Sequence, residues 1–283
     1  MSNIGNIKCI DFRIRPPYGG YKENFLFTED FLTHYKNQFD FEISPSALNK
    51  SMDLLIQEMA RYNVEKAVVP LRKYGAGSLS NEDLLELMKQ YPVRFIGLAG
   101  IDPLDSDSLQ DIEEFIINGS CYGVNMEPGM CNPPMIATDE RIYPIYEKCQ
   151  ENNIPVVLSY GGFCHYSLAL NNPEHIDQLA LDFPKLRIIV IHGGWPHAAA
   201  MCSVALNREN VYISPDCYLI RTPGNQDYIT AANYFLKDKL IFGSAYPLLP
   251  IADAVNYYLN CGIREEVLPN IMYNNAAKAL GID

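Results

Sequence analysis

"CIDFRIRPPYGG", residues 9–20, is the stretch on which the fold turns. It begins as a short apolar run of the kind that forms a buried strand. Successive side chains on a strand point to opposite faces, so Arg13 and Arg15 share a face. Two like charges side by side repel each other unless something anionic lies against them. The run then stops at Pro16-Pro17. An open doubly wound sheet usually places a glycine-rich, phosphate-binding turn after its first strand, leading straight into a helix. A Pro-Pro step does not open such a helix, so the closed arrangement of parallel strands is favoured over the open one.

Seven further runs repeat the pattern: "KAVVPL" (66–71), "FIGLAGI" (95–101), "YGVNMEP" (122–128), "PVVLSYG" (155–161), "RIIVIHGG" (187–194), "VYISPD" (211–216) and "LIFGSAYP" (240–247). Their near-continuous hydrophobicity fits strands buried on both faces, as in a parallel sheet. Helical spacing of apolar residues fills the intervals at 46–64, 81–92, 105–120, 139–153, 172–184, 196–210, 227–238 and 251–262, and a last helix covers 264–281. Strand and helix alternate eight times in 283 residues, the length of a (β/α)8 barrel. The expectation is an α/β fold, a TIM barrel, as a single domain over 1–283. One connection is long: residues 16–45, rich in Phe and Tyr, inserted after strand 1. Loops of this length in a compact domain are usually functional. This one is read either as a lid or interface segment over the barrel mouth, or as a packed surface excursion.

Composition narrows the partners. A net charge of −12 argues against nucleic acid, which needs a basic face. Eight cysteines are scattered without a CxxC pair or zinc-site spacing, and several sit in apolar runs. They read as reduced thiols of a cytoplasmic protein. The N-terminus has no signal-like apolar stretch, and no run is long enough to span a membrane.

In a (β/α)8 barrel the chemistry sits at the C-terminal ends of the strands. Strand 1 supplies Arg13 and Arg15 there. Strand 2 leads to Arg72 and Lys73, read as a solvated loop pair. Strand 3 ends at Asp102, read as a cap. Strand 4 offers Asn125 and Glu127, strand 5 Ser159 and Tyr160, and strand 6 His192 before Gly193-Gly194. Strand 7 offers Ser214, Asp216 and Tyr218, and strand 8 Ser244 and Tyr246. Polar groups that end apolar runs need partners or a ligand. His192 is the natural proton carrier, with Glu127 and Asp216 as acid/base or charge-balancing groups. Arg13 and Arg15 are assigned to substrate binding, with Asn125, Ser159, Tyr160, Tyr218 and Tyr246. The competing reading is structural: arginines paired with Glu127 and Asp216 as an internal plug, a satisfied core histidine, and tyrosines as packing.

The stretches "IDFRIRPP" (10–17), "YPVRFIGLAGIDP" (91–103), "IPVVLSYGG" (154–162), "LRIIVIHGGWP" (186–196), "NVYISPD" (210–216), "LIFGSAYP" (240–247) and "YNNAAKALGI" (273–282) together resemble the amidohydrolase-related family. These are (β/α)8 metal-dependent hydrolases and decarboxylases of the aminocarboxymuconate-semialdehyde decarboxylase type. The resemblance implies a divalent metal held by two histidines on strand 1, one each on strands 5 and 6, and an aspartate on strand 8. The corresponding positions here are Arg13, Arg15, Ser159, His192 and Ala245, so only His192 matches. A guanidinium has no lone pair to give a metal. No cofactor is therefore expected. The alternative is zinc or manganese at a rearranged site of Glu127, His192 and Asp216. A bidentate guanidinium suits a carboxylate. The implied function is a hydrolase or lyase acting on a small anionic, carboxylated molecule held by the arginine pair. Members resembling the pyrone-dicarboxylate lactonases work without metal. A catalytically retired barrel that binds a small anion is the alternative, and the resemblance implies a homodimer or higher homo-oligomer.

Overall fold

The computed structural model describes residues 7–73, 78–162 and 167–282. Seven strands pair in chain order, each parallel to the next: β1 (Cys9–Asp11), β2 (Val64–Pro70), β3 (Phe95–Gly100), β4 (Gly123–Met126), β5 (Val156–Ser159), β6 (Ile188–Ile191) and β7 (Val211–Ser214). Val68 lies opposite Ile96 and Ile189 opposite Tyr212, β-branched and aromatic partners that fill a pleated surface. The expected eighth strand takes its place without forming a continuous ladder. Leu240 bridges Ile213 on one side and Tyr246 bridges Ile14 on the other. Phe12 N donates to Phe242 O at 3.1 Å and Arg15 N to Tyr246 O at 3.0 Å, so this segment closes the barrel. The ladder breaks because Ala245 adopts a left-handed φ of 62° in its middle.

Eleven helices are described. They are α1 (Glu29–Phe39), α2 (Pro45–Leu48), α3 (Met52–Arg61), α4 (Asn81–Gln90), α5 (Ser108–Ile112), α6 (Tyr143–Glu151), α7 (Pro173–Asp182), α8 (Ala198–Asn207), α9 (Asn225–Asn233), α10 (Ile251–Asn260) and α11 (Asn275–Leu280). Hydroxyl and amide caps start several of them: Thr28, Ser51, Ser80 and Asn172 each accept from a backbone N–H of the first turn. The helix expected over 46–64 is broken in two, because Lys50 turns left-handed and Ser51 starts α3 afresh.

The core has two parts. A smaller cluster gathers Ile10, Phe12, Val68, Leu98, Val157, Ile191, Tyr212 and Ile241 with α11 and with Tyr273 in the helical turn before it. It is the filling of the barrel. The larger cluster lies between strands and helices. The described cysteines are free, and all but Cys261 are buried, as small hydrophobes are. Cys164 and His165 lie outside the described residues. No described helix is long and apolar enough to cross a membrane.

Residues 16–45 form short 3-10 turns at Gly19–Tyr21 and Phe25–Phe27 and then α1. Their aromatics pack on one another: Phe25 meets Phe31 edge-on at 5.2 Å, and Phe31 meets Tyr35 at 4.7 Å. Phe27 reaches the barrel at Tyr246, 6.3 Å between centroids. Arg221 ties the far end down, donating to Phe39 O at 2.7 Å and Asp40 O at 2.9 Å, with its guanidinium 4.3 Å over Phe41.

Candidate active site

Two ion-pair groups meet at the C-terminal ends of the strands. In the first, Glu127, just past β4, accepts from Arg15 Nη2 at 2.9 Å, Arg72 Nε at 2.5 Å and Ser159 Oγ at 3.1 Å. Arg15 and Glu127 are nearly inaccessible, 2% and 1% exposed. Burial pushes the Glu127 carboxyl up, but Arg72 and Arg15 outweigh it and hold it down at about 2. Burial, then the neighbouring Arg72 and Arg13, bring Arg15 down to about 10, so it stays cationic at neutral pH. Arg15 Nε makes no hydrogen bond among the described residues. Asn125 is not among the residues lining the cavity at these strand ends. Its Nδ2 donates to Leu71 O at 2.9 Å, which fixes the backbone that carries Arg72.

In the second group, Asp216 Oδ2 lies 2.8 Å from His192 Nδ1 and 3.7 Å from Arg13 Nε, and accepts from His192 N at 3.3 Å. Burial pushes the Asp216 carboxyl up, and His192 and Arg13 more than offset it, leaving it below the usual range. Both residues sit in left-handed backbone, His192 at φ 67° and Asp216 at φ 44°. Such conformations cost about 1–3 kcal/mol each and gather at functional sites. Tyrosines that sequence reading did not single out hold these turns: Tyr228 donates to Gly193 O at 3.0 Å and Tyr258 to Asp216 O at 3.3 Å. Tyr218 stacks on Trp195 at 5.1 Å and meets the His192 ring edge-on at 5.5 Å.

The two groups share one cavity of about 180 Å³, with Arg13, Arg15, Arg72, His192 and Tyr218 in its wall. Arg72 therefore departs from its reading as a solvated loop residue: it is buried and paired with Glu127. Lys73 does remain a half-buried surface residue, paired with Asp105 and Asp111. Asp102 closes a local turn, accepting from Leu104 N at 2.9 Å, while the next helix, α5, starts only at Ser108. Tyr160 and Tyr246 are placed elsewhere. The Tyr160 hydroxyl donates to Asn172 O at 2.9 Å, and Tyr246 bonds Ser46 at 2.9 Å beneath the 16–45 segment. Both rings end apolar runs, and their hydroxyls found partners at Asn172, which caps α7, and Ser46 in α2, rather than in the cavity. Of the proposed rearranged metal set, His192 and Asp216 touch each other, while Glu127 is held by Arg15 and Arg72. Among the described residues, no three His, Cys, Asp or Glu side chains are grouped to hold a metal ion.

Asp11, one pleat below Arg13, was also not anticipated. Its Oδ1 accepts from Arg13 N at 3.1 Å and Ser244 N at 2.8 Å, tying the end of β1 to the closing segment. Burial pushes this carboxyl up to about 6, against the opposing hydrogen bonds. A carboxyl raised in the folded state favours folding when protonated. Its contribution is complete below the ordinary value of 3.8 and lost as pH rises through about 6, about 3 kcal/mol in all. Asp11→Asn keeps the accepting oxygen and removes the titration. Urea denaturation of this variant is expected to show a flatter stability profile than the parent between about pH 4 and 6.

Comparison with known proteins agrees with the architecture. The family model described as Amidohydrolase matches residues 51–282. An uncharacterized TIM-barrel protein of Bordetella bronchiseptica superposes with a TM-score of 0.90 at 36% identity, covering 97% of this chain and 98% of that one. The 4-oxalomesaconate hydratase of Rhodopseudomonas palustris (TM-score 0.65, 17% identity, 96% and 95% covered) shares the fold. So does the 2,6-dihydroxybenzoate decarboxylase of Rhizobium (0.70, 13%, 97% and 98%). A 2-keto-4-carboxy-3-hexenedioate hydratase of a Sphingobium species is 29% identical over 106 residues. That match spans 31% of this chain and 30% of the relative's length. With most of its length matched by the family model and its strands closed in the same barrel, the chain belongs to the amidohydrolase family.

Proposed function

We propose that this barrel is a hydrolase or hydro-lyase for a small carboxylated substrate, working without the divalent metal that the family resemblance implies. One observation carries the reading: three buried guanidiniums, Arg13, Arg15 and Arg72, line a cavity against two carboxylates, beside a His192–Asp216 pair. Buried like charges at this density are unfavourable unless an anion joins them. The donor set does not fit a divalent cation. Both Glu127 oxygens accept from guanidiniums, and Asp216 is engaged by His192 and approached by Arg13.

The arginines also bear on the reaction type. A carboxylate gripped by guanidiniums is stabilised in the ground state, and the grip weakens as charge leaves it. That opposes loss of the held group as carbon dioxide. The held carboxylate is therefore a handle, and the chemistry takes place beside it. Asp216 orients the imidazole through Nδ1, so Nε2 exchanges the proton, taking it from water as water adds to a carbonyl or an activated double bond. The same proton is then delivered to the leaving oxygen in hydrolysis, or, in hydration, to the other carbon of the former double bond, where no group leaves.

The test is turnover of a panel of small lactones, esters and unsaturated acids, followed by proton NMR, with chelator-treated protein beside protein given zinc or manganese. Conversion of a carboxylated member at equal rates in both is expected. Conversion only with added metal overturns the metal-free reading. Tight anion binding with no conversion replaces the enzyme by the retired, ligand-binding barrel.

A further inference from the structure

Resting on the anion-site reading above, we infer that the cavity selects substrates with one carboxylate on a small apolar body and rejects those with a second charge at the far end. The cavity has two unlike walls. Its cations, Arg13, Arg15 and Arg72, all come from strand ends and the residues just after them. The apolar and aromatic lining, Phe25, Leu26, Phe31, Tyr35, Met130 and Leu248, comes from segments beyond those ends, four of the six from the 16–45 segment with its helix α1. Among the described residues that lining offers no cation. Phe25 lines the cavity and is still 40% exposed, an aromatic face for a ligand to cover.

Charge matching gives the same answer. Three guanidiniums line the wall, and behind it Glu127 and Asp216 pair with them, so the guanidiniums exceed these two carboxylates by one charge that an added carboxylate can meet. A second would be stripped of water against phenyl and leucyl groups with no counter-ion, which is strongly unfavourable. At about 180 Å³ the cavity is also smaller than a drug-sized site, so the apolar body is about one ring. The residues of the 16–45 segment thus set specificity, while the strand ends set affinity for the anion.

The test compares three ligands of one shape by isothermal titration calorimetry at neutral pH: cyclohexanecarboxylate, trans-cyclohexane-1,4-dicarboxylate and cyclohexanecarboxamide. The monoacid is expected to bind, the diacid at least about 30-fold more weakly and the amide at least about tenfold more weakly. Phe25→Lys, at an exposed position, should narrow the gap between diacid and monoacid by about tenfold. A diacid that binds as tightly as the monoacid, while the amide fails, overturns the one-charge inference and leaves the anion site standing. An amide that binds as tightly as the acid overturns the anion site itself. No binding by any of the three overturns both.

Discussion

Glu127→Gln is expected to lower the unfolding free energy by about 3–5 kcal/mol, the usual cost of breaking a buried ion pair from one side. Arg15 and Arg72 are both buried, and both give their close hydrogen bonds to this one carboxylate. A glutamine offers one accepting oxygen and no charge, so two guanidiniums are left without their main counter-ion. The sign with pH follows from the low carboxyl value. Glu127 is held at about 2, below its ordinary 4.5. Its stabilising contribution is present above 4.5 and lost as pH falls through about 2. Urea denaturation at pH 7 and pH 3 should therefore show a large gap between parent and variant at the first pH and a smaller one at the second. A loss under about 1 kcal/mol at pH 7 would mean that the guanidiniums are balanced by something other than Glu127. The variant also addresses the plug reading. If the ion pairs serve only stability, a stabilising anion such as cyclohexanecarboxylate will not restore the variant toward the parent; a binding site will show ligand-dependent recovery.

Asp216→Asn is expected to lower turnover by about 10²–10⁴-fold, the range for loss of a positioned proton-transfer group. The substitution is chosen for its backbone. Asp216 sits at φ 44°, and asparagine tolerates that region better than other residues. The amide oxygen still accepts from His192 N, so the turn after β7 keeps its geometry. What disappears is the negative charge 2.8 Å from His192 Nδ1. The pH–rate profile should shift as well as fall, because the imidazolium loses its stabilising partner. Affinity for a non-reacting carboxylate should hold or rise, since Arg15 and Arg72 are untouched and the site becomes more positive. A variant that turns over within about threefold of the parent removes the His192–Asp216 pair from the proposed chemistry.

The barrel was legible because its signal is local. The β-rich runs, such as "RIIVIHGG" at 187–194, are near-continuously apolar and alternate with helical spacings, and the Pro16-Pro17 step tells against the open sheet. Placing residues at strand ends follows from the same pattern. That is why Arg13, Arg15, Glu127, His192 and Asp216 could be picked out and are found close together. The eighth strand shows the limit. "LIFGSAYP" reads as a ladder, but Ala245 breaks it, and only its neighbours on both sides hold it in the barrel.

What the sequence by itself determined, then, is the order of strands and helices, the end of each strand at which chemistry collects, and the surplus of cation over metal ligand at strand 1. Which charges pair was decided by tertiary structure. Arg72 looks like half of a solvated Arg-Lys loop, and only folding brings Glu127, 55 residues away, against it. Asp11 looks like one polar residue in a strand, and only barrel closure brings Ser244 to it across 233 residues. Tyr160 and Tyr246 end strands as the cavity residues do, but their hydroxyls met Asn172 and Ser46 first. Side-chain periodicity states the face on which a residue lies. Ion pairs and hydrogen bonds depend on distances of a few ångströms between segments far apart in the chain, and no local pattern encodes those.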